Sequence, residues 1–342
     1  MKRTSMLLGG VLLLAACSSA SDDVATTPGS DNGSTTTMEA GDIQLPEGFE
    51  VQGHRGARGL KPENTLPSFE TALDLGVSTL ELDLHYSADG DIVVWHDPVI
   101  DPKKCGLKPG APTRVPDPDD PAIPEAALAV RSLAAADLWW FDCSRNPDPN
   151  AFHDQDSEPT LLAGDDFGIV TLDALIDFVE DYSTSMSKTE LQREGASVVG
   201  YNVEPKRGFG DPSAINDGFD GTNAGPFELR LLEVIEDRRI RERIMVQSFI
   251  RESLEAIHRA DPGIRLAALT VGDADPGGYA ALGISVWSPR ASTISERRLA
   301  EAFAAGLTVV PWTVNSPEVV EALIAAGVDG VITDRPDLIL RP

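Results

Sequence analysis

Residues 81–97 read ELDLHYSADGDIVVWHD. Two apolar-rich runs flank Asp89-Gly90, a pair suited to the positive φ of a tight turn, so the stretch predicts a hairpin with no helix between its strands. Around it, short apolar runs alternate with amphipathic stretches. Strands are expected over 50–53, 78–84, 92–96, 197–204, 243–247, 264–270, 283–287, 308–312 and 328–333. Helices are expected over 65–75, 171–182, 226–238, 251–260, 275–281, 293–305 and 316–326. Nine strands are one too many for an eightfold barrel. The hairpin removes the excess, because 92–96 returns antiparallel beside an extension of the second strand. Eight helix-linked strands remain, and that alternation predicts an α/β protein, a (β/α)8 TIM barrel.

Residues 101–168 break the rhythm. They are rich in Pro and Asp and too long for an ordinary connection, so they predict a small inserted subdomain following the hairpin extension of strand 2. Its Cys105 and Cys143 are expected to form a disulfide, which would stabilise the fold by ~3–4 kcal/mol. Trp139, Trp140 and Phe141 are expected to pack this segment down, the other reading being that they line a substrate entrance.

The start of the chain reads MKRTSMLLGGVLLLAAC. A basic beginning, an apolar run too short to span a bilayer and a terminal Leu14-Ala15-Ala16-Cys17 predict a signal over 1–16. The ending resembles the lipobox of bacterial lipoproteins, which implies lipidation at Cys17. Residues 17–45, rich in Ser, Thr, Gly and Asp, then form a flexible tether, and 46–342 form the barrel. The expected location is extracytoplasmic, anchored by lipid to a bacterial membrane at the periplasmic face or the cell surface. The formal net charge of −27 argues against a nucleic-acid partner, whose phosphates would be repelled.

In a (β/α)8 barrel the chemistry sits at the carboxyl ends of the strands. Those ends carry His54 and Arg55, with Glu63 and Asn64 in the following loop. They also carry Glu81 and Asp83, then His96 and Asp97, then Glu204 and Lys206, then Gln247 and Phe249. Trp287, Trp312, Asn315, Asp334 and Arg335 come from the later strands. Side chains alternate along a strand, so Glu81 and Asp83 share one face while Leu80, Leu82 and Leu84 take the other. Glu63, Glu81, Asp83 and Glu204 offer oxygen ligands with no sulfur among them, which suits one divalent cation, Ca2+ or Mg2+. His54 and His96, beside a cation, Arg55 and Lys206, predict acid–base chemistry on an anion. His85 could reach the rim. His153 and His258 are read as structural, and Arg58 and Lys61 as a solvated loop.

Five stretches carry a resemblance. GHRGARGLKPENT (53–65), ELDLHYSADGDIVVWHD (81–97), VEPK (203–206), QSF (247–249) and PWTVN (311–315) resemble the glycerophosphodiester phosphodiesterases, in order and at compatible separations. The likeness runs from about residue 50 to 338. It implies His54 and His96 as the acid–base pair and Glu63, Glu81, Asp83 and Glu204 around the cation. It implies Arg55 and Lys206 on the phosphate and Trp312 near the glycerol. Asn64, Gln247 and Phe249 are expected in the substrate site, Asn64 orienting site or substrate. One departure is Glu204-Pro205-Lys206 where Glu-Leu-Lys is often found. Proline has no backbone donor, so that strand should end or lose a ladder bond there.

The implied reaction is metal-dependent hydrolysis of a glycerophosphodiester, a small-molecule substrate, to sn-glycerol 3-phosphate and an alcohol. The nucleophile is either water or the substrate's own 2-hydroxyl. Two other readings stay open: a phospholipase D-like enzyme acting on lysophospholipid or sphingolipid, and a non-catalytic surface binding protein.

Overall fold

The structure is a computed structural model and describes residues 43–208, 215 and 217–340. The signal over 1–16, Cys17 and nearly all of the tether lie outside the described residues. Among the described residues no helix is long and apolar enough to cross a membrane.

The chain begins β1 (Glu50–Gly53), α1 (Leu66–Leu75), β2 (Thr79–Tyr86) and β3 (Ile92–Val94). The insertion holds β4 (Gly106–Leu107), α2 (Ala135–Leu138) and β5 (Phe141–Asp142). Then follow α3 (Leu172–Thr184), α4 (Glu190–Val198), β6 (Gly200–Pro205), α5 (Pro226–Asp237) and β7 (Ile244–Ser248). The last part runs α6 (Arg251–Ala260), β8 (Arg265–Thr270), α7 (Pro276–Ala280), β9 (Val286–Pro289), α8 (Glu296–Ala304), β10 (Thr308–Val309), α9 (Pro317–Ala325) and β11 (Gly330–Thr333).

The parallel strands lie in the order β10-β9-β8-β7-β6-β2-β1-β11. The two ends of this sheet meet through Asp329 N, which donates to Val309 O, and Ile332 N, which donates to Pro311 O, both at 2.9 Å. The result is a (β/α)8 barrel. β3 stands outside the ring, antiparallel to β2 with Leu84 opposite Val94 and Tyr86 opposite Ile92, so the hairpin reading of residues 81–97 holds.

Strand parity divides the two surfaces of the sheet. Leu80, Leu82 and Leu84 point outward and pack with Phe69 of α1 and Leu175 and Ile176 of α3. Burying each such side chain stabilises the fold by ~2 kcal/mol. Inside, one half of the barrel is apolar, with Met245, Ala267, Val286, Val310 and Ile332 in contact. The other half is a hydrogen-bonded chain. Asn202 Nδ2 donates to Gln52 Oε1 (2.8 Å) and to Gln247 Oε1 (2.9 Å), and Gln247 Nε2 donates to Glu81 Oε1 (2.7 Å). A buried amide donor left unpaired would cost about 1–3 kcal/mol, so these bonds satisfy the donors of Asn202 and Gln247 and fix Glu81.

Several boundaries differ from expectation, among them β9, expected over 283–287 and found at Val286–Pro289. Residues 197–198 belong to α4, a helix the apolar pattern did not announce because most of its side chains face solvent. Its signal was the Thr189–Gln192 capping box. β3 ends at Val94, although Trp95 N still donates to Asp83 O (3.0 Å) in the same antiparallel register. β10 stops at Val309, because Pro311 has no N–H to continue the ladder. Pro205 is the last residue of β6, as its missing donor requires, and Lys206 N resumes the bonding on Leu84 O.

The insertion has its own core of Trp95, Ile100, Val115, Leu128, Val130, Leu138 and Phe141. The disulfide Cys105–Cys143 ties the β4 and β5 segments together. Phe141 is fully buried there, whereas Trp139 is 40% exposed and covered by Lys108, whose Nζ lies 3.7 Å from its ring centre.

Candidate active site

The loop after β1 is shaped by two glycines. A Cβ on Gly53 would lie 2.4 Å from Gly56 O, and one on Gly56, at φ +90°, would lie 2.5 Å from Ser68 Oγ. The tight turn they permit puts Arg55 at φ 53°, with its N–H donating to Glu81 Oε2 at 2.9 Å. Asn64, also left-handed at φ 58°, donates from Nδ2 to Asp83 Oδ2 at 2.9 Å. Asn64 is fully enclosed, so its observed partner is Asp83 and it orients the site.

Glu81 and Asp83 on β2 face Glu204 on β6, with Asp83 and Glu204 in register. Oxygens of the three carboxylates lie within 4.8 Å of one another. All three are buried, at 2%, 1% and 7% exposure. Burial and then the neighbouring Asp83 charge push the Glu81 carboxyl well up. Burial likewise raises Glu204, against the pull of Lys206. Asp83 goes the other way, because Arg55 and Lys206 outweigh its burial and hold it below the usual carboxylate range. Arg55 Nε is 3.0 Å from Asp83, and Lys206 Nζ is 3.0 Å from Glu204 and 3.6 Å from Asp83. Two protein cations thus face three buried carboxylates, and the deficit of positive charge with all-oxygen donors fits a hard divalent ion.

Glu63 does not join this group. It accepts from Arg55 Nη1 (2.9 Å) and Lys104 Nζ (2.8 Å) and forms a second cluster with His96 and Asp97. Burial pushes its carboxyl up, but Arg55, Lys104 and Arg58 hold it down at about 2. The expected set of four converging carboxylates is therefore three, since Glu63's oxygens are already taken by side-chain cations.

Each histidine is held from behind. His54 Nδ1 lies 2.6 Å from Asp334 Oδ1, and Asp334 is in turn held by Asn315 Nδ2 at 2.8 Å. Burial lowers the His54 pKa below its ordinary value, even though Asp334 pulls it up. His96 Nδ1 lies 2.6 Å from Asp97 Oδ1. With both Nδ1 atoms occupied by carboxylates, both Nε2 atoms remain for chemistry. His85 does not reach the rim. It is buried with Nε2 3.0 Å from His96 O, and burial lowers its pKa to about 4.

His54, Arg55, Glu81, His96, Glu204 and Lys206 line one pocket of about 240 Å³. This lies below the ~300–1,000 Å³ typical of drug-sized ligands, so it suits a small polar head group. Phe249 and Trp312 form its aromatic wall, packed edge to face at 5.4 Å. Gln247 also lines it but is engaged with Glu81 and Asn202. A larger hollow of about 350 Å³, with Arg241, Arg243 and Arg265 at its edge, lies where β6 and β7 begin, away from the carboxyl ends where a barrel places its chemistry.

Several contributors went unread in the sequence. Asp97, Asn315 and Asp334 were recognised only as strand-end residues. Arg58 lines the pocket, with its guanidinium 4.5 Å from the Phe152 ring centre. Lys61 is nearly buried, paired with Asp156 and donating to Glu158 O at 2.8 Å. Neither is a solvated loop residue, because the insertion folds back over this loop, with Gln155 Nε2 on Arg58 O at 2.7 Å. His153 and His258 lie outside the pocket.

The sequence pattern of the glycerophosphoryl diester phosphodiesterase family matches residues 54–194 and 221–338. A glycerophosphodiester phosphodiesterase of Bacillus altitudinis is 24% identical over 293 residues, covering 84% of this chain and 95% of its own. Among solved structures, a candidate glycerophosphoryl diester phosphodiesterase from Silicibacter pomeroyi superposes with a TM-score of 0.66 at 24% identity, over 87% of this chain and 93% of that one. An Oleispira antarctica phosphodiesterase, solved in complex with the product sn-glycerol-3-phosphate, gives 0.60 at 20% identity, over 85% and 94%.

Proposed function

Because the chain belongs to the glycerophosphoryl diester phosphodiesterase family, we propose that its pocket hydrolyses a small glycerophosphodiester to sn-glycerol 3-phosphate and an alcohol. One observation carries this reading: two imidazoles, each backed by an aspartate, share a pocket with a buried three-carboxylate cluster. A divalent cation held by Glu81, Asp83 and Glu204 would neutralise phosphoryl charge. Arg55 and Lys206 add fixed positive charge beside it. One Nε2 takes the proton of the nucleophile, water or the substrate's 2-hydroxyl, while the other imidazole protonates the departing alkoxide. Asp334 and Asp97 hold the two rings by Nδ1, and His54 Nε2 stands 3.9 Å from Glu81 at the carboxylate cluster.

The lysolipid reading needs an apolar groove, which Trp139, Trp140 and Phe141 would form on the alternative reading of that cluster as an entrance lining. None of the three lines the pocket. Release of sn-glycerol 3-phosphate from glycerophosphocholine, compared with choline release from lysophosphatidylcholine, separates the two. Preference for the lysolipid would overturn the small-substrate reading.

The same proposal includes anchoring by lipid at Cys17 outside the cytoplasm. It rests on the leader sequence, and the Cys105–Cys143 disulfide supports an oxidising compartment. Cys17→Ala should move the protein from membrane to soluble fraction, and unchanged fractionation would refute the anchor.

A further inference from the structure

His54 and His96 are backed by different kinds of support. Asp334, behind His54, is side-chain buried to 9% exposure and fastened by Asn315. Asp97, behind His96, is its immediate neighbour in the chain, with a side chain 26% exposed. A carboxylate so placed has several rotamers open to it, and only one keeps the imidazole aligned. Something must select that rotamer.

Lys104 occupies that place. Its Nζ is 2.5 Å from Asp97 Oδ2 while Asp97 Oδ1 meets His96 Nδ1. The same Nζ is 2.8 Å from Glu63 Oε1, and Glu63 Oε2 accepts from Arg55 Nη1. One ammonium therefore bridges the carboxylate behind His96 and the carboxylate beside Arg55. Its backbone is held tightly. The N–H groups of Lys104 and Cys105 both donate to Asp101 O at 2.9 Å, and Lys104 O accepts from Arg145 N at 3.1 Å. Cys105 is joined to Cys143 across the insertion. The side chain passes the Trp95 ring, with Nζ 5.6 Å from its centre.

We propose that Lys104 is a positioning residue for His96, acting through Asp97, and that the Cys105–Cys143 disulfide influences turnover through Lys104. The inserted subdomain is thereby a working part of the catalytic site. This rests on the hydrolytic reading above.

The test uses the full chain with glycerophosphocholine. Lys104→Met is expected to lower kcat about tenfold or more while KM stays within about threefold, because substrate contacts remain and ring alignment is lost. Lys104→Arg keeps the charge and is expected to recover most of that loss. Reducing the disulfide is expected to lower kcat of the wild type and to leave Lys104→Met unchanged, the non-additivity of two changes acting through one group. Should Lys104→Met fail to fold, Lys104→Gln carries the same comparison. A neutral variant with kcat within about twofold of wild type, or reduction acting equally on both proteins, overturns the proposal. A wild type that releases no glycerol 3-phosphate overturns the hydrolytic reading itself, and this proposal falls with it.

Discussion

His54 Nδ1 lies 2.6 Å from Asp334 Oδ1, a contact between residues 280 apart in sequence. It joins the end of the first barrel strand to the end of the last, so the acid–base group is correct only when the ring of strands meets. Asp334→Asn keeps the shape but can donate to Nδ1, which favours the wrong tautomer. A loss of about 100-fold in kcat is expected with little change in melting temperature. Activity near wild type would show that the contact does not serve the reaction.

Chelation tests the carboxylate cluster. With Glu81, Asp83 and Glu204 buried together, removal of a divalent ion should abolish turnover, and Ca2+ or Mg2+ should restore it. Glu204→Gln should raise the metal concentration needed for half activity by about tenfold or more. Full activity after exhaustive chelation would contradict the reading.

Arg58 is expected to contribute to substrate binding from the pocket wall. Arg58→Met should lower kcat/KM roughly tenfold, equivalent to ~1.4 kcal/mol of transition-state stabilisation, with the fold intact. Unchanged kcat/KM would return Arg58 to a packing role against Phe152.

Glu70 gives a pH test away from the site. It is fully buried, accepts from Leu162 N (3.0 Å) and Ala163 N (2.8 Å), and pairs with Lys188 at 2.6 Å. Burial pushes its carboxyl up, but these partners hold it below the ordinary 4.5. A depressed folded-state value means the stabilisation is complete above pH 4.5 and is lost as pH falls through the folded value. Glu70→Gln should lower stability at pH 7 by about 1–3 kcal/mol, and the gap from wild type should shrink in acid. A gap constant with pH would contradict the assignment.

The barrel was legible because its signal is periodic and local: Asp89-Gly90 marks the hairpin, and alternation at Leu80 to Leu84 assigns the faces of β2. His54, His96, Glu81, Asp83 and Glu204 were legible because strand ends and parity bring them to one place. What stayed hidden depends on contacts between distant segments. Asp334 reaches His54 only through the meeting of β1 and β11. Glu63 looked like a fourth ligand until Lys104, 41 residues away, was seen to hold it. Arg58 and Lys61 looked solvated because nothing local shows that residues 152–158 of the insertion return to cover them. α4 was missed because its buried face is too small for an apolar pattern.

The most direct measurement is the rate of sn-glycerol 3-phosphate release from glycerophosphocholine by the purified protein, its His54→Ala and its His96→Ala variants, with the divalent ion present. The account predicts turnover by the wild type and a loss of about 100-fold or more in each variant, with folding unchanged. Turnover in either variant close to wild type, or none in the wild type, would contradict it.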